Sequence, residues 1–515
     1  MVTPTIARSY SPSSLWTIYF IDAFYGAFLG AFQRVVRRRM KTTRLRGSPR
    51  SSFLYGVLNS IISSTDSVAM YENLAKEYGV VYQIPAFLGE TRIVLCDPKA
   101  LAHYYARETW TYVQIPFGLA LVENMIGSGL LGAEGESHRR QRKALMPAFS
   151  NEAIRQLTSV FYGSVYKCAW DSIIESGKDG SAVIEVQNCL DTIGIAGFSH
   201  DFGSLDRKHS SVTDMFDTFS NNSRASTVNQ FLFLLAQVFP VVTKFPTKRT
   251  KLIEKLNVIM AEISNDLLLR DHREKEANVS KTKQESIYTV KAEGRDAELH
   301  LSQMKTLLIA GYETTSGKLW ALIELSQHLD VQSKLREELL AFGDDPTYDQ
   351  LKANLPYLDA VVHETLRLHP PVPDVTRIAA ADDVIPLSEP ICTASGKMTE
   401  SISVGKGTII SVSVMAINRS FAIWGPDAKQ FKPDPKEVQG HRHLLTFVDG
   451  PRTCLGKDFA IAQFKLVLLV LVKNFVFEMQ DGPETRIEVA RTILPRSWIV
   501  GQDGTRVPLL VRWYE

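Results

Sequence analysis

From Leu15 to Phe32 the chain is mostly apolar and aromatic, with Asp22 as a charge in mid-span. A basic run follows at once: Arg34, Arg37, Arg38, Arg39, Lys41, Arg44 and Arg46. A bilayer crossing needs about 20 apolar residues, so this stretch is just long enough for one. The basic flank on its C-terminal side keeps the rest of the chain cytoplasmic. A cleaved secretory signal carries its charges in front of the apolar run, where only Arg8 stands. The pattern therefore predicts a short tail over 1–13, a transmembrane anchor over 14–36, a basic linker with Pro and Gly over 37–56, and one large domain over 57–515.

Within that domain, Val80 to Ile84 and Arg92 to Pro98 read as short strands split by a turn around Gly89. From Asn151 to about Leu340 apolar residues recur every three or four positions, the period of amphipathic helices. Arg273 to Glu298 is polar and reads as a loose connection. After Pro370 come loops and short strands, and from Asp458 to Phe475 the chain returns to a strongly apolar helix. The expected fold is mainly α with a minor β-sheet part, an α+β arrangement.

Composition narrows the function. A formal charge of +2 gives no reason to expect a nucleic-acid partner. The five cysteines, Cys96, Cys168, Cys189, Cys392 and Cys454, are scattered and contain no C-x-x-C pair. That argues against a disulfide framework and against a zinc site. No Gly-rich nucleotide fingerprint or P-loop is present. The N-x-S sequons at Asn221, Asn278 and Asn418 read as chance on a cytoplasmic domain.

Four stretches carry candidate chemistry. In "FVDGPRTCLG" (Phe447 to Gly456), Gly450 and Gly456 permit close backbone approach, Pro451 stiffens the turn, and Cys454 precedes a long apolar helix. A helix N-terminus favours a thiolate, although a free cysteine is more often just buried. In "IAGYETTS", Ala310 and Gly311 open one face of a helix beside Glu313 and Thr314, an acid and a hydroxyl able to pass protons. The bland reading of Thr314 is a back-bonding threonine in a kinked helix. In "HETLRLHPP", Glu364 and Arg367 lie three apart on one helix face, either as a buried pair or as a surface pair of little worth. "EGESHRRQRKALMPAFS" holds His138, Arg139, Arg140, Arg142 and Lys143, which alone suggest a solvated basic face.

Taken together, these motifs resemble the cytochrome P450 family over essentially the entire chain, in a fungal style. Phe447, Gly450, Arg452, Cys454 and Gly456 fill the family's haem-binding signature F-x-x-G-x-R-x-C-x-G. The resemblance implies haem b, sandwiched between the Thr314 helix and the Cys454 loop, with Cys454 as axial ligand of its iron. It implies Arg452, Arg142, His138 and Arg377 as partners of the haem propionates, His138 standing where a tryptophan is usual. It gives Thr314 a hydrogen bond to dioxygen, Glu313 a proton supply through water, and Glu364 and Arg367 a structural role behind the loop. One departure stands out: Pro435 occupies the position of an arginine that usually completes the Glu364–Arg367 network, and Arg442 and His443 are the nearby substitutes.

The activity so implied is a membrane-anchored monooxygenase of the endoplasmic reticulum. It takes electrons from NADPH through NADPH–cytochrome P450 reductase, with cytochrome b5 as a further partner, and inserts one oxygen atom from O2 into a lipophilic substrate by hydroxylation or epoxidation, in secondary metabolism or xenobiotic oxidation. Lys457, Arg139, Arg140 and Lys143 would draw an acidic redox partner. The pocket would draw on Val113 to Val122, Ile309, Tyr312 and Val372 to Val375. The alternatives are a haem-thiolate enzyme that works without reductase, as a peroxygenase or rearranging enzyme, and a haem-binding protein without turnover.

Overall fold

A computed structural model describes residues 41–64, 66–166, 181–185, 232, 234–237, 239–248, 250–262, 297–315, 319–434, 444–491, 495–501 and 507–515. The expected tail and anchor lie outside these residues. Among the described residues, no helix is long and apolar enough to cross a membrane.

In chain order the strands are β1 (Val81–Pro85), β2 (Thr91–Leu95), β3 (Tyr112–Gln114), β4 (Ser181–Glu185), β5 (Asp374–Ala379), β6 (Asp383–Cys392), β7 (Met398–Val404), β8 (Ile409–Ser413), β9 (Phe475–Met479), β10 (Ile487–Arg491), β11 (Pro495–Ile499) and β12 (Pro508–Trp513). The helices that build the site and its support are α1 (Pro98–Ala106), α2 (Pro116–Ile126), α3 (Gly135–Leu145), α4 (Asn151–Tyr166), α5 (Ala297–Thr315), α6 (Leu319–Gln327), α7 (Leu329–Phe342), α8 (Pro356–Leu368) and α9 (Lys457–Asn474). The mainly helical fold with small sheets is that of the cytochrome P450 likeness.

Apolar residues on all sides make a helix that must be buried. α9 is such a helix: every position from Leu466 to Val472 is buried. It packs against α4, α7 and α8 to form the main core. One buried cation interrupts it. Lys465 donates to the Leu351 carbonyl at 3.1 Å and meets the Asp359 carboxylate at 2.5 Å. Burial penalises the Asp359 carboxylate, but the His363 ring and the Lys465 ammonium outweigh it and hold its pKa at about 2.

The expected hairpin forms as β1 and β2, with Val81 opposite Leu95. The turn between them needs positive φ at Leu88 and Gly89. This hairpin edges a five-stranded sheet in the order β1-β2-β8-β5-β3, with β2 and β8 parallel. α1 covers a second apolar cluster built from this sheet and the β6–β7 hairpin.

Two local expectations change. The stretch read as a linker is docked from Lys41 onward: Leu45 is buried, the Gln83 N–H donates to the Arg46 carbonyl at 3.0 Å, and a Cβ on Gly47 would lie 1.9 Å from the Gln83 carbonyl oxygen. Backbone pairing to sheet edges, invisible to hydropathy, fixes this segment. Ser181–Glu185, inside the region read as helical, is β4 and pairs antiparallel with β12. Its partner lies more than 300 residues away, so no local period could reveal it.

Candidate active site

The cysteine loop is a tight structure closed on itself. The Cys454 N–H donates to the Phe447 carbonyl at 2.9 Å, and the Thr453 N–H to the Gly450 carbonyl at 3.1 Å. Gly450 has φ +68°, and a Cβ there would sit 2.2 Å from the Tyr105 carbonyl oxygen at the end of α1. Only glycine fits that approach. Gly456, at the N-cap of α9, differs: its φ is −90°, and an added Cβ would make an ordinary 3.5 Å contact with the Phe149 ring. The two glycines are therefore not equivalent, contrary to the reading from sequence.

Cys454 is open on one side and hemmed in by protein on the others. Phe447 stands half-buried with the Lys457 ammonium 5.8 Å over its ring, and it does not seal the sulfur from solvent. Burial raises the thiol pKa, while the Gly456 N–H, Arg142 and Lys457 pull it down, leaving it raised overall. A helix start and two cations are thus aimed at the sulfur, yet they do not by themselves make it a thiolate.

Four basic groups from three elements stand at or near this loop. His138, on α3, is buried. Burial, then Arg452 and Arg142, lower its pKa to about 4, so it is a neutral imidazole near pH 7. Arg142 is half-buried one turn further along α3. Arg377 comes from β5 and Arg452 from the cysteine loop. Arg452 donates to the Ala133 carbonyl at 2.7 Å and meets the Glu134 carboxylate at 2.7 Å. The Nε of Arg377 lies 3.0 Å from Glu108 Oε1.

Glu108 and Glu134 are the site residues that sequence reasoning missed. Glu108 follows α1, in "YYARETW". It is in fact fully buried at 0% exposure. Its only sequence signal is an acid set among aromatic residues. The Nε atoms of Arg377 and Arg452, both Glu108 oxygens and Glu134 Oε2 are buried without a hydrogen-bond partner among the described residues. A native interior seldom leaves such atoms unsatisfied, so this cluster is built to meet further polar atoms.

On α5, Ala310 is exposed, Gly311 and Thr314 are partly so, and Ile309 is buried. The Thr314 hydroxyl donates to the Ala310 carbonyl at 2.5 Å, the back-bonding arrangement considered from sequence. The side chains of Tyr312 and Glu313 lie outside the described residues. Of the other pocket candidates, Val113 is on β3, α2 runs from Pro116 past Val122, Val372 is exposed and Val375 is buried. The glycine-rich loop after α2 presses on α5: a Cβ on Gly129 would lie 2.3 Å from the Thr306 hydroxyl.

Behind the loop, Glu364 and Arg367 form a buried, doubly hydrogen-bonded pair at 2.7 and 2.8 Å. Arg367 also donates to the carbonyls of Asn418 at 2.8 Å and Ala428 at 2.5 Å, and the Lys432 N–H donates to Glu364 at 3.1 Å. Pro435, Arg442 and His443 lie outside the described residues. Backbone groups do much of the work expected of a third side chain. Asn418 is fully buried, accepting from the Leu445 N–H and donating to Thr446, so it is no glycan acceptor.

This donor set fits a haem: a sulfur at a helix start, buried arginines whose Nε atoms lack a hydrogen bond among the described residues, and an open helix face at Ala310. Comparisons with known proteins agree. The cytochrome P450 family profile matches residues 47–497. Cytochrome P450 monooxygenase claO of Ampulloclitocybe clavipes is 52% identical over 93% of this chain and 94% of its own. Cytochrome P450 monooxygenase claP of the same fungus is 51% identical over 93% and 94%. Cytochrome P450 monooxygenase 128 of Postia placenta is 33% identical over 91% and 92%. With the profile spanning most of the chain and relatives matched nearly end to end, the protein belongs to the cytochrome P450 family and is a P450 monooxygenase.

Proposed function

We propose that the protein inserts one oxygen atom from O2 into a lipophilic substrate, by hydroxylation or epoxidation, using electrons delivered from NADPH by a separate reductase. Such chemistry would serve secondary metabolism or xenobiotic oxidation. The observation that carries this reading is Cys454 at the foot of α9 with Arg142 acting on its sulfur, and Arg452 of the same loop sharing Glu108 with Arg377. Bound there, haem b would supply dioxygen activation and oxygen-atom transfer, the chemistry that belongs to the cofactor.

The chain's own residues bind, orient and handle protons. Cys454 would hold the haem iron through its sulfur. Because metals take cysteine only as thiolate, that role would require loss of the proton that burial favours, and the Gly456 N–H, Arg142 and Lys457 would stabilise the resulting anion. Arg142, Arg377 and Arg452 offer charged donors to the propionates, and neutral His138 offers a ring N–H. Ala310 and Gly311 keep the facing helix clear of bulk. Thr314 holds a proton on Oγ1, at present donated to the Ala310 carbonyl, and can turn it toward the substrate side. In this reading Glu313 resupplies that proton.

With no nucleotide-binding fingerprint in the chain, NADPH–cytochrome P450 reductase is the electron source, and cytochrome b5 an accessory one. Lys457 at the start of α9 and Arg139, Arg140 and Lys143 on α3 are exposed cations that suit an acidic partner. Residues 14–36 anchor the protein in the endoplasmic reticulum membrane with residues 57–515 cytoplasmic. The test is reconstitution with reductase, NADPH and a panel of terpenoid, steroid and aromatic substrates under labelled dioxygen. The expected product carries one labelled oxygen and needs both NADPH and reductase. Equal product with peroxide alone would show a reductase-independent enzyme instead.

A further inference from the structure

The carboxyl groups beside the arginines pose a charge problem. Glu108 and Glu134 already match Arg377 and Arg452 one to one. On the reading above, haem brings two further carboxylates to the same arginines. Three cations, Arg142, Arg377 and Arg452, then face four carboxyl groups, and His138 contributes no charge. Glu108 is the one among the chain's acids here with no contact to water. The Nε of its partner Arg377 lies 3.0 Å from Oε1, while Glu108 Oε2 is buried without a hydrogen-bond partner among the described residues.

We propose that Glu108 takes up one proton from solvent as haem binds, and then meets a haem carboxylate as a neutral acid through an O–H···O bond. The proton forms an O–H bond on Glu108, no electron moves, and the site is left with three cations against three anions.

The surroundings favour Glu108 over its neighbours as the proton's seat. Burial already raises its pKa. Arg377 on β5 and Arg452 on the cysteine loop oppose that, while Glu134 at the start of α3 reinforces it. Once propionates claim the two arginines, the opposition weakens and burial prevails. Glu134 is partly exposed, and its Oε1 accepts the Gln114 N–H at 2.8 Å, so it already has a partner and a route to water that Glu108 lacks. Tyr104 and Tyr105, which also face Glu108 from α1, have raised pKa values and stay neutral, and exposed Asp449 faces Tyr105. A carboxyl that binds its proton only with haem must make haem retention pH-dependent. The holo form gains its extra stability while Glu108 is protonated and loses it as pH rises through the loaded-state pKa.

The inference rests on the haem reading, and its test separates the two. Purified holoenzyme and the isosteric Glu108→Gln variant are mixed with excess apomyoglobin as haem acceptor, and haem loss is followed from about pH 6 to 8 with the acceptor's own pH response subtracted. The wild type should lose haem faster as pH rises, by up to about tenfold per pH unit for one proton. Glu108→Gln mimics the protonated acid, so its loss should be pH-independent and slower than wild type at the alkaline end. Faster loss from Glu108→Gln at every pH would overturn the proposal, because it would make Glu108 a structural anion. Should that variant fail to load haem, the infrared spectrum of wild-type holoenzyme labelled with carbon-13 in its glutamate carboxyls decides. A protonated-glutamate stretch near neutral pH supports the proposal, and its absence overturns it. Wild-type protein that purifies with no haem at all would strike at the haem reading itself.

Discussion

Single residues here act through opposed influences whose balance can be measured. Thr314 has its only described hydrogen bond to the helix backbone, so its hydroxyl proton is free to be redirected. Thr314→Ala should leave NADPH consumption running while product formed per NADPH falls at least roughly tenfold. Unchanged coupling would mean that protons arrive by another route. Asp359 shows the same balance in a structural setting. Its folded pKa of about 2 lies below the ordinary 3.8. Its contribution, about 2 kcal/mol, is therefore complete above the ordinary value and fades as pH falls toward 2. Asp359→Asn should lower the thermal midpoint at neutral pH and flatten the acid side of a stability-versus-pH curve.

The cysteine loop and its helix make a prediction at the scale of an element. Gly450→Ala puts a methyl group 2.2 Å from the Tyr105 carbonyl oxygen at a positive φ, whereas Gly456→Ala meets only an ordinary contact. The first should cost on the order of 2 kcal/mol or more and much of the haem-loaded yield. The second should be nearly silent in thermal melts and in haem content. Sequence alone made the two look alike, because spacing reveals that a glycine is present and not what its missing side chain avoids. The helices were legible for a better reason: α8 and α9 carry their own periods, so Glu364 and Arg367 could be set on one face in advance. β4 and the docked Lys41 segment were not, since their partners are remote in sequence. Glu108 went unread because burial of a lone acid depends on what folds over it.

For the whole molecule, the Glu364–Arg367 pair ties α8 to the segment around Asn418 and Ala428 behind the cysteine loop. Removing one partner of a buried pair strands the other charge, at about 3–5 kcal/mol. Glu364→Ala should therefore abolish folded, haem-loaded protein; normal spectra and melting would show that backbone contacts suffice without the pair. Deleting residues 1–40 should move the protein from the membrane to the soluble fraction, and continued membrane binding would mean that the anchor lies elsewhere. The central claim remains that Cys454 ligates a haem iron. The most direct test is the carbon monoxide difference spectrum of reduced wild type beside Cys454→Ala. The account predicts a thiolate-type band in the wild type and none in the variant. The same band persisting in Cys454→Ala would contradict it.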